Sequence, residues 1–148
     1  MEIRTAVLTD LEALYTLGLE TPEFKVSASA VFMERDEFLS AIRNPHGTFL
    51  LAESEGKAVG FIYANRQDIE RAPDASWACL VYVVVTSGHR KQGIAQALYA
   101  ECIARLKHAG VCRVYGWANA ESDGSIIQFL KKNGFEEGHR YVWMDKEL

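Results

Sequence analysis

At 148 residues, 49% of them hydrophobic, the chain is the size of one domain with a single core, expected to span residues 1–148. A net charge of −4 offers no basic face for nucleic acid, and the longest apolar run is far too short to span a membrane. Met1-Glu2-Ile3-Arg4 lacks the plan of a signal peptide, and Cys79, Cys102 and Cys112 form neither an even disulfide set nor metal-type spacing, so a cytoplasmic, metal-free protein with its cysteines as small apolar fillers is expected.

In chain order, Ile3 to Ala6 reads as a short strand. Thr9-Asp10-Leu11-Glu12 has the form of a capping box, with Thr9 as N-cap, and Leu11, Leu14, Tyr15 and Leu19 make one apolar stripe behind it. The stretch from Thr21 to Val31 carries no clear period. Glu34 to Arg43 predicts a second helix, stopped by Asn44-Pro45. Thr48 to Glu53 and Ala58 to Ala64 predict two strands joined by a tight turn at Ser54-Glu55-Gly56-Lys57.

Asp68 to Ala75 reads as a polar loop. Trp77 to Val85 is an aromatic and β-branched run without alternation, as in a central strand covered on both faces. Gly93 to Ala109 predicts the main helix, with Ile94, Leu98, Cys102 or Ile103, and Leu106 inward and Gly110 as its stop. Cys112 to Ala118 is a further strand, Ser125 to Asn133 a short helix, and Tyr141 to Asp145 a last strand. The alternation predicts an α/β protein built on a mixed sheet.

The chemistry concentrates between Val83 and Gln96. There a buried strand runs into the loop Thr86-Ser87-Gly88-His89-Arg90-Lys91-Gln92, and Gly93 opens a helix. The first N–H groups of a helix have no partner within it and lie at the positive end of its dipole. Such a terminus binds phosphate, and Gly lets the ligand approach the backbone. Arg90 and Lys91 add side-chain charge, so a phosphorylated ligand is expected there.

Arg90-Lys91-Gln92-Gly93-Ile94-Ala95 also fits Arg/Gln-x-x-Gly-x-Gly/Ala, and by it the chain resembles the GNAT N-acetyltransferase superfamily. The surroundings agree: a strand before the motif, a strand and a short helix after it, then Lys132-Asn133-Gly134-Phe135 where the family ends its helix in Gly-Phe. Neither a Walker A nor a Gly-x-Gly-x-x-Gly pattern is present. The resemblance implies a mixed, mostly antiparallel sheet flanked by helices and splayed at an acetyl-CoA cleft. It implies that the amides from Lys91 to Gln96 (Lys91, Gln92, Gly93, Ile94, Ala95 and Gln96), with Arg90, cradle the CoA pyrophosphate. The backbone of Val83, Val84 and Val85 would align the pantetheine arm, and an N–H near Val83 would face the thioester oxygen. The activity implied is transfer of an acetyl group to a primary amine of a small molecule, peptide or protein N-terminus, by a monomer or homodimer.

Two positions depart from the family. Leu130 stands where many members place a proton-donating Tyr, and Ala118 where N-terminal acetyltransferases often carry a Glu base. The catalytic candidates that remain are Tyr82 in the central strand, Glu121 beyond the following strand, Asp123 and Tyr141. Each has a plainer reading: core packing for Tyr82, a solvated loop for Glu121, a helix cap for Asp123. His89 flanks the phosphate loop and His139 the last strand. Trp77 and Trp117 fit core better than pocket wall, and Glu23 and Phe24 fall in the loop that shapes acceptor sites in the family. With no donor at Leu130 or base at Ala118, a CoA-binding regulatory module is the alternative. A nucleotide-binding protein is a third reading.

Overall fold

The computed structural model describes residues 1–22, 34–66, 76–121 and 123–148. The polar loop expected from Asp68 to Ala75 lies outside that set, as do Glu23 and Phe24. Five strands form one sheet in the order β1-β2-β3-β4-β5: β1 (Glu2–Thr5), β2 (Gly47–Ser54), β3 (Lys57–Asn65), β4 (Trp77–Val85) and β5 (Arg113–Gly116). The first three pairings are antiparallel, and β4 with β5 is parallel. The helices are α1 (Leu11–Leu19), α2 (Arg35–Arg43), α3 (Ile94–His108) and α4 (Ser125–Lys132). This is the mixed α/β plan that the resemblance implied.

The sheet separates two cores. On one face α1 and α2 bury Leu11, Leu14, Phe38 and Ala41 against Phe49, Leu51, Phe61, Tyr63, Tyr82 and Val84. On the other, α3 lays Ile94, Leu98, Cys102 and Leu106 over Leu50, Ala52, Ile62, Ala64, Ala78 and Leu80. That four-residue spacing puts the α3 side chains on one stripe. Gly60 has no side chain because a Cβ there would lie 2.6 Å from the Val84 carbonyl oxygen. The turn between β2 and β3 places Glu55 and Gly56 at positive φ, 53° and 73°, the geometry of a tight hairpin.

Three expectations need correction. The cap before α1 is not Thr9. Asp10 closes a 3-10 turn at Leu8–Asp10 by accepting the Val7 N–H at 2.8 Å, while Arg4 grips the same carboxylate at 2.8 and 2.9 Å. Tyr141 to Asp145 forms no strand: it joins no sheet among the described residues, and its side chains stand exposed. Nor are the aromatic and thiol fillers all inside. Trp117 is 63% exposed with Tyr141 edge-on at 5.5 Å, and Cys112 is exposed at the surface while Cys102 is buried.

Candidate active site

The pairing of β4 with β5 runs from Trp77↔Arg113 to Leu80↔Gly116 and then ends. Beyond Leu80, β4 continues to Val85 with β3 as its only strand neighbour among the described residues. The close approach at that last pair needs Gly116, since a Cβ there would sit 2.7 Å from the Leu80 carbonyl oxygen. One residue further along, β4 carries a bulge. Tyr63 faces Tyr82 and Ala64 faces Leu80, leaving Val81 as the extra residue.

From Val85 the chain passes through a 3-10 turn at Ser87–His89 into α3. His89 Nδ1 lies 3.0 Å from the Thr86 hydroxyl, and Arg90 Nε donates to the Val85 carbonyl at 3.1 Å, tying the loop back to the strand end. Lys91 and Gly93 both take positive φ, 62° and 81°, and Gly93 is the N-cap of α3. This left-handed kink turns successive amides one way. The main-chain N–H groups of Lys91, Gln92, Gly93, Ile94, Ala95 and Gln96 make no hydrogen bond among the described residues. The first intrahelical donor is Ala97, to the Gly93 carbonyl at 3.0 Å. Arg90, Lys91 and Gln92 stand exposed beside these donors. Donors so arranged suit an anion.

The short helix α4 closes one side of this run of amides. Gln96 and Asn133 exchange two side-chain hydrogen bonds at 2.8 and 3.1 Å, and Tyr99 packs against Phe129 and Phe135. Leu130 is half-buried against the α3-side core. Asp123 is not the N-cap of α4, which is Gly124; one residue earlier, it accepts the Ser125 N–H at 2.9 Å. That bond, and more weakly the charge of Arg90, holds its carboxyl below the usual range.

The four catalytic candidates are not brought together. Glu121 is exposed, Asp123 is engaged at the start of α4, and Tyr141 stands 72% exposed against Trp117. His139 is also exposed, and Trp77 stacks under the Arg113 guanidinium, 4.6 Å from the ring centre. Tyr82 alone is buried, at 6% exposure, and stacked on Phe38 at 5.6 Å between ring centres. Burial, reinforced by the negative charge of Glu37, pushes its phenol well above the usual value.

Tyr82 also borders a feature that the sequence does not announce. A wide-mouthed cavity of about 1050 Å³, open to solvent, lies between α2 and the β3–β4 ladder, lined by Asp36, Glu37, Asn44, Tyr63, Val81 and Tyr82 among others. Asn44 Nδ2 donates to the Tyr63 hydroxyl at 3.0 Å and to Asn65 Oδ1 at 2.9 Å, while its own Oδ1 accepts the His46 N–H at 2.9 Å. In the sequence these residues read as the start and stop of one helix and as members of two strands, and only the docking of α2 on the sheet assembles them.

The Acetyltransferase (GNAT) family profile matches residues 11–135. An uncharacterised N-acetyltransferase of Methanocaldococcus jannaschii is 33% identical over 89 residues, which are 60% of this chain and 39% of the relative. Among solved structures, a transcriptional regulator from Bacillus halodurans C-125 superposes with a TM-score of 0.78 at 18% identity, covering 98% of this chain and 99% of the other. An aminoglycoside N-acetyltransferase solved in complex with CoA superposes at 0.72 with 20% identity, covering 99% of this chain and all (100%) of the other.

Proposed function

The chain belongs to the GNAT acetyltransferase family, and from that premise we propose that it transfers the acetyl group of acetyl-CoA to a primary amine by direct attack. The observation that carries this reading is the run of six amides from Lys91 to Gln96 without a partner among the described residues, which follows the end of the stretch of β4 that β5 leaves unpaired. These donors, the positive end of the α3 dipole, and the Arg90 and Lys91 side chains suit a pyrophosphate. The β4 backbone at Val83, Val84 and Val85, with no strand on its β5 side among the described residues, suits an extended arm lying alongside. Acetyl-CoA bound there supplies an activated acyl carbon and a thiolate leaving group.

The protein must then meet an amine in its neutral form, which requires removing a proton from an alkylammonium of pKa ~10. Tyr82, kept protonated by its burial, suits donation of a hydrogen bond near the thioester and not proton abstraction. The name of the Methanocaldococcus relative supports N-acetyl transfer, and the CoA complex of the aminoglycoside enzyme supports the donor. The position of Leu130, without a hydroxyl and packed into the core, favours a second reading as a CoA-binding regulatory module.

CoA release from acetyl-CoA, followed across amines, amino acids and peptides, separates the two. Turnover proportional to protein concentration is expected. Tight acetyl-CoA binding with no turnover on any acceptor would overturn the enzyme reading in favour of the module.

A further inference from the structure

We propose that the cavity between α2 and the β3–β4 ladder is the acceptor site, and that it selects a small amine carrying a second positive charge, which Asp36 and Glu37 hold. The inference rests on the acetyl-transfer reading above.

Position is the first argument. Val81 and Tyr82 line the cavity, and they are the first two residues of β4 past its last pair with β5. Tyr82 packs in the α1/α2-side core, whereas Val83 and Val85 pack toward α3. An acceptor in the cavity and a donor running from the α3 cradle therefore approach the same few residues of β4 from opposite faces of the sheet.

Charge is the second argument. Asp36 and Glu37 lie in the first turn of α2, and Arg43 is the one cation among the described lining residues. Glu37 is fixed in place, since its Oε2 accepts the Glu34 N–H at 3.2 Å. Its field reaches the cavity floor, where it acts on the Tyr82 phenol. An anionic acceptor would meet two carboxylates at the rim, and a dication gains there.

The third argument is a buried hydroxyl. Tyr63 is 6% exposed and lines the cavity, and its oxygen accepts from Asn44. That leaves its own O–H to donate into the space. Together the wall offers anions at the rim and a neutral donor within, and the volume admits a compact molecule.

The test uses the full chain with acetyl-CoA and compares 1,5-diaminopentane with pentylamine, which share size and differ in the second charge. A preference of about fivefold in kcat/KM for the diamine is expected, the scale of a partly solvated ion pair. It should fall to about one in Asp36→Asn/Glu37→Gln, and in wild type at high salt. Gln at position 37 keeps an acceptor for the Glu34 N–H, so α2 retains its start. Equal rates for the two amines in wild type, or an undiminished preference in the double variant, would overturn the proposal. Calorimetry of 1,5-diaminopentane on CoA-saturated protein reads the same site without turnover. Binding lost in the double variant supports the proposal, and absence of binding in wild type overturns it. CoA binding, measured separately, fails only if the acetyl-transfer reading fails.

Discussion

Phe38 ties α2 to the sheet, and its truncation gives the sharpest check on how the cavity is built. The ring is fully buried, with neighbouring ring centres at 5.6 Å (Tyr82), 5.7 Å (Phe61), 5.8 Å (Tyr15) and 6.0 Å (Phe49). Replacing it with Ala forfeits about 2 kcal/mol of apolar transfer. The void, roughly 80 Å³ if the neighbours hold still, costs about 2 kcal/mol more at roughly 24 cal/mol per Å³. A loss of about 4 kcal/mol is expected, a large share of the ~5–15 kcal/mol that holds an ordinary domain folded. Urea unfolding measures it as a fall in midpoint at constant slope. Because Phe38 belongs to the α1/α2-side core and α3 to the other, CoA affinity should change less than about twofold while the KM for the amine rises. Phe38→Leu, which refills most of the volume, should recover over half of the lost stability. A loss below about 1.5 kcal/mol in Phe38→Ala would refute the packing of α2 described above.

Gly116→Ala must push β5 away from the Leu80 carbonyl, and an overpacking cost of about 2 kcal/mol should lower Tm by about 4–8 °C in calorimetry. Gly93→Ala has open space around its Cβ but a φ of +81°, so only about 1 kcal/mol of backbone strain is expected by the same measurement, together with weaker CoA binding by titration. Thiol labelling should modify exposed Cys112 first and reach buried Cys102 only on unfolding. Burial pushes the Cys102 thiol from an ordinary 9.0 up to about 12, so the unfolded chain gives up this proton before the folded one does. Its contribution to stability is whole below pH 9 and is lost between pH 9 and 12 by at most about 1.4 kcal/mol per unit, and Cys102→Ala should flatten that limb of the urea midpoint against pH.

What the sequence made legible is what it decides locally. Ile94, Leu98, Cys102 and Leu106 announce α3 because one stripe is enough to define a helix face, and the turn at Glu55-Gly56 announces itself through its backbone demands. The site proposed for the donor is local too, with Arg90 to Gln96 contiguous. The cap before α1 was not legible, because Thr9 and Asp10 both carry a suitable oxygen. The choice falls to Arg4, which holds Asp10 in place from β1 while also reaching Glu53 on β2. Tyr141 to Asp145 has the composition of a strand, but a strand needs a neighbour, and β propensity reports fit to a surface that the segment does not meet here. Asp36 and Glu37 look like an ordinary acidic helix start until Phe38 seats α2 above Tyr82.

The same limit explains why the central strand hid its most consequential feature. In β4, Ala78 and Leu80 belong to the α3-side core, and regular alternation would send Tyr82 and Val84 there as well. They lie instead in the α1/α2-side core, with Val83 and Val85 turned toward α3. Val81, the extra residue of the bulge, exchanges the two faces at the first position beyond the last β4–β5 pair. A strand buried on both sides carries apolar residues at every position, so a change of phase leaves no mark in its hydrophobic pattern. Yet that change decides which side chains border each half of the cleft. It gives the phenol of Tyr82 to the cavity under α2 and the small apolar Val83 to the side from which α3 presents its amides. Without the bulge the phenol would face α3, and the cavity would lose the one buried hydroxyl that β4 contributes to it.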